Sequence, residues 1–228
     1  MAVNYQPINL NDIIDAIAIQ RKLLSPQQPV LVAISGIDAS GKGYITAQIV
    51  KILSQGNLRV ASINIDGWLN LPHQRFSQTN PAAHFYQYAI RFDQLFSQLV
   101  FPLRQLRSVS LEVNYTQETA TEYQKHRYKF DNIDIIILEG IFLLKQEFQS
   151  YYDLSFWIEC SWETALERAI RRSQEGLSQQ ETVKAYQAIY FPAQKIHWER
   201  DKPRQAVTAR INNDFRLAST GLKPDPSP

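Results

Sequence analysis

Residues 30–50 read VLVAISGIDASGKGYITAQIV. Val30 to Ile34 is a short apolar run rich in β-branched residues, the pattern of a buried strand. Gly36 follows, then four residues, then Gly41 and Lys42, and Tyr44 to Leu53 has the character of a helix. Strand, glycine-rich loop and helix in that order form the context in which the spacing G-x-x-x-x-G-K binds phosphate. Glycines let backbone N–H groups close on phosphate oxygens, the helix start adds a favourable dipole, and the lysine is a point charge for β- and γ-phosphates. Ile37, Asp38, Ala39 and Ser40 complete the loop, so Gly36 to Tyr44 is the expected ATP-binding segment. The competing reading is a glycine-rich turn with no ligand.

The pattern continues with a serine or threonine whose hydroxyl ligates the magnesium of Mg-ATP. Gly43 stands there. The substitution deletes one metal ligand and leaves the main-chain cradle intact. Mg²⁺ keeps several waters in such sites, so a water can take the vacated position. Thr46, one turn on, is too far to ligate directly.

The chain has 228 residues, 44% hydrophobic and 20% charged, which suits one domain with a sizeable core. A net charge of +2 argues against a nucleic-acid coat or a polybasic membrane anchor. Cys160 is the single cysteine, so no intrachain disulfide forms, and a reducing compartment, the cytoplasm, is the expectation. The longest apolar runs, such as Ile135 to Leu138, are too short to span a bilayer, and the start carries no secretory pattern. No basic–aromatic stripe points to nucleic acid, and no Cys/His cluster has zinc spacing. The expected partners are ATP and a small molecule, with a homo-oligomer left open.

Along the chain, Asn11 is placed to cap a first helix that Ser25-Pro26 ends, and residues 1–28 form a helical extension. Val60 to Ile65 is a second strand ending at Asp66-Gly67; a helix is expected over Ala82 to Gln105. SVSLEVNYT (108–116) and RYKFD (127–131) suggest short strands; Ile133 to Leu138 and LSFWIEC (154–160) are apolar strands. Ser161 caps and Gly176 stops a helix between them, Ser178 to Gln194 is helical, and AVTARINND (206–214) ends in a strand. Residues 214–228, with three prolines, read as a loose tail after a domain at 29–213. Strands alternating with helices predict an α/β fold with a mainly parallel sheet and helices on both faces.

Asp66 and Glu139 each close a predicted strand. Ligands of open parallel sheets sit beyond the carboxyl ends of the strands, so both carboxylates are expected at the rim that carries the phosphate loop. One can serve as base on an acceptor hydroxyl and one can hold Mg²⁺. Solvated acids in strand-to-loop turns are the bland alternative. Arg168, Arg171 and Arg172 share one helix side, where they either stabilise a phosphoryl group in transfer or form an ordinary solvated face.

GIDASGK (36–42), INIDGWL (63–69), IIILEGIFLL (135–144), DLSFWIECSWETALERAIRRS (153–173) and YFPAQKIHWERDKPRQAVTARI (190–211) together resemble the uridine kinase and phosphoribulokinase family of P-loop small-molecule kinases. The resemblance implies a three-layer P-loop NTPase fold with a helical lid and transfer of the γ-phosphate of Mg-ATP to an acceptor hydroxyl. It implies that Asp66 activates the acceptor and also lies near the metal, that Glu139 positions Mg²⁺, and that Lys42 holds phosphates. By the same resemblance Arg168, Arg171 and Arg172 belong to the helix entering the lid, with Arg168 and Arg172 on the transferring group and Arg171 on ATP. Tyr186 and Pro192 match the helix after the lid. Uridine or cytidine is the first expected acceptor; a sugar acid, pantothenate or a sugar phosphate is the alternative, and a nucleotide-binding regulator with little turnover is the rival of another class. Two departures bear on the acceptor. AIRFD (89–93) puts Ile90 and Arg91 where many uridine kinases carry a ribose-binding aspartate, and keeps Asp93. A cationic Arg91 suggests an acceptor bearing carboxylate or phosphate. Tyr115, Tyr123 and His126 are candidates for an acceptor-contacting hairpin, and His73 and His84 flank the segment after Asp66.

Overall fold

The computed structural model describes residues 8–219. Its centre is a five-stranded, wholly parallel sheet of order β2-β5-β1-β6-β7. The strands are β1 (Val30–Gly36), β2 (Val60–Asn64), β5 (Ile135–Gly140), β6 (Leu154–Glu159) and β7 (Ala209–Asn212), while β3 (Val109–Tyr115) and β4 (Gln124–Phe130) form a separate antiparallel hairpin. Both β1 and β5 are buried along their whole length. That is why they read as continuous apolar runs and not as alternating ones. Alternate residues still divide between two cores. Leu31, Ala33, Ile136 and Leu138 face one layer, and Val30, Val32, Ile34, Ile135 and Ile137 face the other.

The second layer is made by α1 (Leu10–Leu23) and α2 (Lys42–Gln55). Ile13 and Ile17 of α1 and Ile45, Ile49 and Leu53 of α2 recur at helical spacing and bury against the sheet. Each such side chain contributes roughly 1.5–3 kcal/mol on leaving water. The N-terminal helix is therefore an integral part of the core and not an extension beside it. Its cap is Asn9, not Asn11: the Asn9 side chain accepts from the Asp12 amide, and Asp12 accepts from the Asn9 amide in return.

On the opposite face the short α3 (Pro72–Arg75) and α4 (Pro81–Tyr88) are followed by α5 (Phe92–Gln94), a π-helical turn at Leu95–Val100 and α6 (Phe101–Leu106). The long helix expected over Ala82 to Gln105 is thus broken at residues 89–91. The break has a local cause: Asn70 donates its amide to the Ala89 carbonyl, Arg91 donates to the Trp68 carbonyl, and Leu69 and Ile90 form an antiparallel bridge. Next come α7 (Gln146–Gln149), α8 (Trp162–Arg172), α9 (Gln179–Ala185), a π-helical turn at Tyr186–Tyr190 and α10 (Phe191–Asp201), so the helix expected to end at Gln194 runs seven residues further. Ser161 caps α8 as expected, but Ser173, with φ 48°, ends it before Gly176 is reached. The chain closes with α11 (Pro203–Ala206), β7 and α12 (Phe215–Ser219). Residue 214 does not open a loose tail. Asp214 is buried and accepts from the amide and hydroxyl of Ser161; the remainder of the expected tail, from residue 220, lies outside the described residues.

Candidate active site

The sheet register brings the three sequence-predicted strand ends together. Glu139 pairs with Ile34 of β1 on one side and Asn64 of β2 on the other. The loop after β1, the Asp66 turn after β2 and Glu139 at the end of β5 therefore share one rim, where open parallel sheets bind ligands. A cavity of about 400 Å³ opens there, lined by Asp38, Lys42, Gly43, Asp66, Glu139, Arg168 and Arg172 among others.

The phosphate loop is built for an anion. Gly41 has φ 92°, a left-handed conformation, and a Cβ there would collide with the Asn213 side-chain amide. Glycine is required on both counts. Gly41 caps α2 with no side chain bound to the helix-start amides, and the first turn carries no acidic residue. Those amides remain for a ligand's oxygens. Lys42 Nζ donates to the Ile37 carbonyl at 2.9 Å, folded back across its own loop. Arg168 donates to the carbonyls of Ser40 (3.0 Å) and Asn213 (2.8 Å), and Asn213 also donates to Ser40. In this geometry Arg168 holds the loop in place from α8. Arg172 reaches Asp38 at 3.6 Å and Glu175 at 3.1 Å at the cavity edge. Arg171 is exposed and stands outside the cavity lining.

The acids differ in character. Asp66, held by its amide on the Asn64 side chain at 2.8 Å, is pushed above the usual carboxylate range by burial and by the negative Asp38, against the pull of Lys42 and Arg172. Burial pushes Asp38 up as well, but Arg172, Lys42, the Tyr186 hydroxyl and the Ala39 amide together hold it below its ordinary value. Burial raises Glu139 to about 7, opposed by Lys42. Two carboxylates pushed apart in one cleft divide their roles: Asp66 is the stronger proton acceptor, and Asp38 stays charged against its cations.

Among the described residues no three acids, histidines or cysteines converge as a metal cage. The donor set still fits Mg²⁺, which takes one or two carboxylates and fills its octahedron with waters and phosphate oxygens. A Cβ at Gly43 would meet nothing nearer than Glu139 Oε2, at 3.8 Å. The place of the missing hydroxyl is open space beside a carboxylate, and Tyr44, exposed, has not filled it.

Three acceptor-side expectations change. Arg91 is buried and fully engaged: it donates to the carbonyls of Leu69, Gly67 and Asn114 and to the Gln94 side chain, and lies over the Trp68 and Tyr123 rings. It is a brace and offers nothing to an anionic acceptor. Asp93 and His73 are exposed and His84 donates its Nε2 proton to the Gln74 carbonyl; none lines the cavity. Tyr115 packs on Gly67, Tyr123 donates to Gln74, and the exposed His126 lies tilted on Tyr115 and edge-on to Tyr128, so none of the three lines the cavity. What the hairpin does bring to the cavity is Glu118, and α10 brings Gln194. Neither stood out in the sequence, because a glutamate in a polar loop and a glutamine in a helix are the commonest solvated residues.

A model of the phosphoribulokinase/uridine kinase family matches residues 31–190. Among solved structures, a protein described as a possible uridine kinase from Bacillus stearothermophilus superposes with a TM-score of 0.68 at 17% identity, covering 90% of this chain and 100% of that one. D-glycerate 3-kinase from Cryptococcus neoformans var. grubii gives 0.66 at 10% identity, covering 92% and 97%. Phosphoribulokinase from Rhodobacter spheroides gives 0.56 at 12%, covering 82% and 71%. At these identities the structural likeness speaks for the fold.

Proposed function

Because the chain belongs to the phosphoribulokinase/uridine kinase family, we propose that it is an ATP-dependent small-molecule kinase that moves the γ-phosphate of ATP to an acceptor hydroxyl in the cytoplasm. One observation carries the reading: the phosphate loop with Lys42, the base candidate Asp66 and the metal candidate Glu139 line a single cavity. Pure nucleotide binding needs the first and not the second, which disfavours a regulator without turnover.

The α2 amides and Lys42 hold the phosphates, with Lys42 leaving the Ile37 carbonyl to do so. Asp66, raised in basicity by burial, accepts the acceptor hydroxyl's proton as its oxygen closes on phosphorus. Glu139 and Asp66 would hold Mg²⁺, which offsets the charge on the phosphate oxygens. Arg172, already at the cavity edge, is placed to meet the transferring group, while Arg168 keeps the loop in shape around it.

The test is turnover of ATP with uridine, cytidine and a panel of hydroxylated metabolites by wild type, Lys42→Ala and Asp66→Asn. Lys42→Ala should fold and lose turnover. Asp66→Asn should keep its ATP affinity and lose about 100- to 10,000-fold in rate, the usual worth of a general base. A loss below about tenfold would move the role of base to another carboxylate, Asp38 first.

A further inference from the structure

The cavity lining includes two groups of residues that matter for the acceptor. Its cations, Lys42, Arg168 and Arg172, stand around the phosphate loop and the start of the lid segment, where ATP's phosphates need them. The second group is Leu69, Phe85, Glu118, Tyr190 and Gln194. Phe85 and Tyr190 meet edge to face at 5.0 Å, and Gln194 follows Tyr190 by one helical turn, on the same face. Arg75 is the cation paired with Glu118. It is 1% exposed, and its two terminal nitrogens are engaged while its Nε has no partner among the described residues: it donates to Asn70 O at 3.0 Å, to Glu118 Oε1 at 3.2 Å and to the Glu118 carbonyl, and lies over the Phe76 ring. The loop between β3 and β4 is thereby pinned so that Glu118 stands in the cavity wall with Asp66.

Gln194 is the second sign of a ligand. It is 1% exposed at the cavity wall, and neither its amide nitrogen nor its amide oxygen has a hydrogen-bond partner. A buried amide left unsatisfied at both ends is costly, and such groups are retained where a ligand completes them. Its oxygen and nitrogen together can accept from one hydroxyl and donate to another.

We infer that Glu118 and Gln194 recognise the acceptor, and that the acceptor is an uncharged molecule bearing several hydroxyls. The inference rests on the kinase reading and narrows it. Hydroxyls donate to the Glu118 carboxylate and pair with both ends of the Gln194 amide, leaving one hydroxyl for Asp66. A carboxylate or phosphate on the acceptor would meet Glu118 and Asp66, and the cations within reach of these acids are already engaged: Arg75 pairs with Glu118, Arg172 with Asp38 and Glu175, and Lys42 lies across the phosphate loop. Like charges brought together in a desolvated site cost at least a decade in affinity. The inference therefore sets a neutral acceptor above the sugar-acid and sugar-phosphate alternatives.

The experiment compares a nucleoside, a pentose and a pentitol with their carboxylate or phosphate-monoester counterparts as acceptors, in wild type, Glu118→Gln and Gln194→Ala. Wild type should phosphorylate at least one neutral acceptor with a kcat/KM at least about tenfold above that of its anionic counterpart. Glu118→Gln should shrink that ratio by about tenfold by improving the anionic acceptor, and Gln194→Ala should raise the acceptor KM by about tenfold with little change in kcat. ATP affinity, measured by calorimetry on each variant, should match wild type and so shows that the variants are folded. Preference for an anionic acceptor in wild type, or a ratio unmoved in Glu118→Gln, overturns the inference and leaves the kinase standing. No turnover with any acceptor, beside normal ATP binding, overturns the kinase reading and the inference with it.

Discussion

Gly43 is the residue at which the phosphate loop departs from its usual pattern, and the space around it decides what the departure means. Its Cβ position is open, with Glu139 Oε2 in ordinary contact range at 3.8 Å. A hydroxyl introduced there would stand beside the carboxylate that is expected to face the metal. Gly43→Ser should therefore lower the magnesium concentration for half-maximal activity, by exchanging a water for a fixed ligand. It should also stabilise the protein by about 0.5 kcal/mol, since serine is a better residue than glycine inside a helix. A magnesium titration of the kinase rate beside a melting curve reads both effects. An unchanged magnesium requirement would mean that the metal does not approach residue 43. Loss of ATP binding would mean that the loop closes into this space when nucleotide arrives. The contrast with Gly41 is informative: there φ and the Asn213 amide both forbid a side chain, whereas at Gly43 neither the backbone nor a neighbour does.

The elements legible in the sequence were those whose signal is local. A strand of β-branched residues followed by glycines and a lysine defines β1, the loop and α2 without help from elsewhere. The breaks in the helices were not legible, because their causes are tertiary: residues 89–91 leave the helix to bond with residues 68–70, which lie some twenty positions away. Arg91 shows the same limit. As a letter beside Asp93 it suggested an anion site; in place it joins the Asp66 turn, at Gly67 and Leu69, to Asn114 of the hairpin. A guanidinium fork serving several carbonyls cannot be replaced by a point charge. Arg91→Lys should cost about 2 kcal/mol and Arg91→Ala about 3 kcal/mol in urea unfolding, because buried carbonyls lose their donors. Since the brace also fixes the hairpin that carries Glu118, the acceptor KM should rise in Arg91→Lys while ATP affinity holds. If stability stayed within about 0.5 kcal/mol of wild type, the brace would be dispensable and the hairpin held by its aromatic packing.

At the scale of the molecule, a parallel sheet gathers ligand-facing residues at one rim, which is why strand-end positions led to Asp66 and Glu139 beside the Lys42 that the loop spacing had singled out. The opposite limit is the buried polar group whose partners come from distant elements. His197 of α10 is such a group: its Nδ1 lies 2.6 Å from Asp201, which also accepts from the Tyr86 hydroxyl of α4, and Lys145 lies over the Tyr86 ring. Trp157 and Phe142 pack around the imidazole, and its Nε2 has no partner. A neutral ring donating its Nδ1 proton to Asp201 suits that bare nitrogen. Burial accordingly pushes the His197 pKa below its ordinary 6.5, against the pull of Asp201 and with a contribution from Lys145. The unfolded chain then binds the histidine proton more readily than the folded one, so this group's share of stability is full above pH 6.5 and is lost as pH falls below it. Asp201, held below 3.8, loses its share only in more acid solution. Glu118 and Glu139, raised to about 7, work in the opposite sense and cost stability as pH rises from 4.5 to about 7. The raw pH profile of the wild type therefore mixes opposing contributions, and a difference between proteins is needed to isolate one. His197→Gln retains the carboxylates and removes the imidazole. Between about pH 7.5 and about pH 5.5, wild type should lose about 1 kcal/mol more of its unfolding free energy than the variant, measured by urea titration at both values. Equal losses in the two proteins would show that folding leaves the His197 pKa where the unfolded chain has it, and a smaller loss in wild type than in the variant would show that His197 is protonated in the folded state, paired as a cation with Asp201.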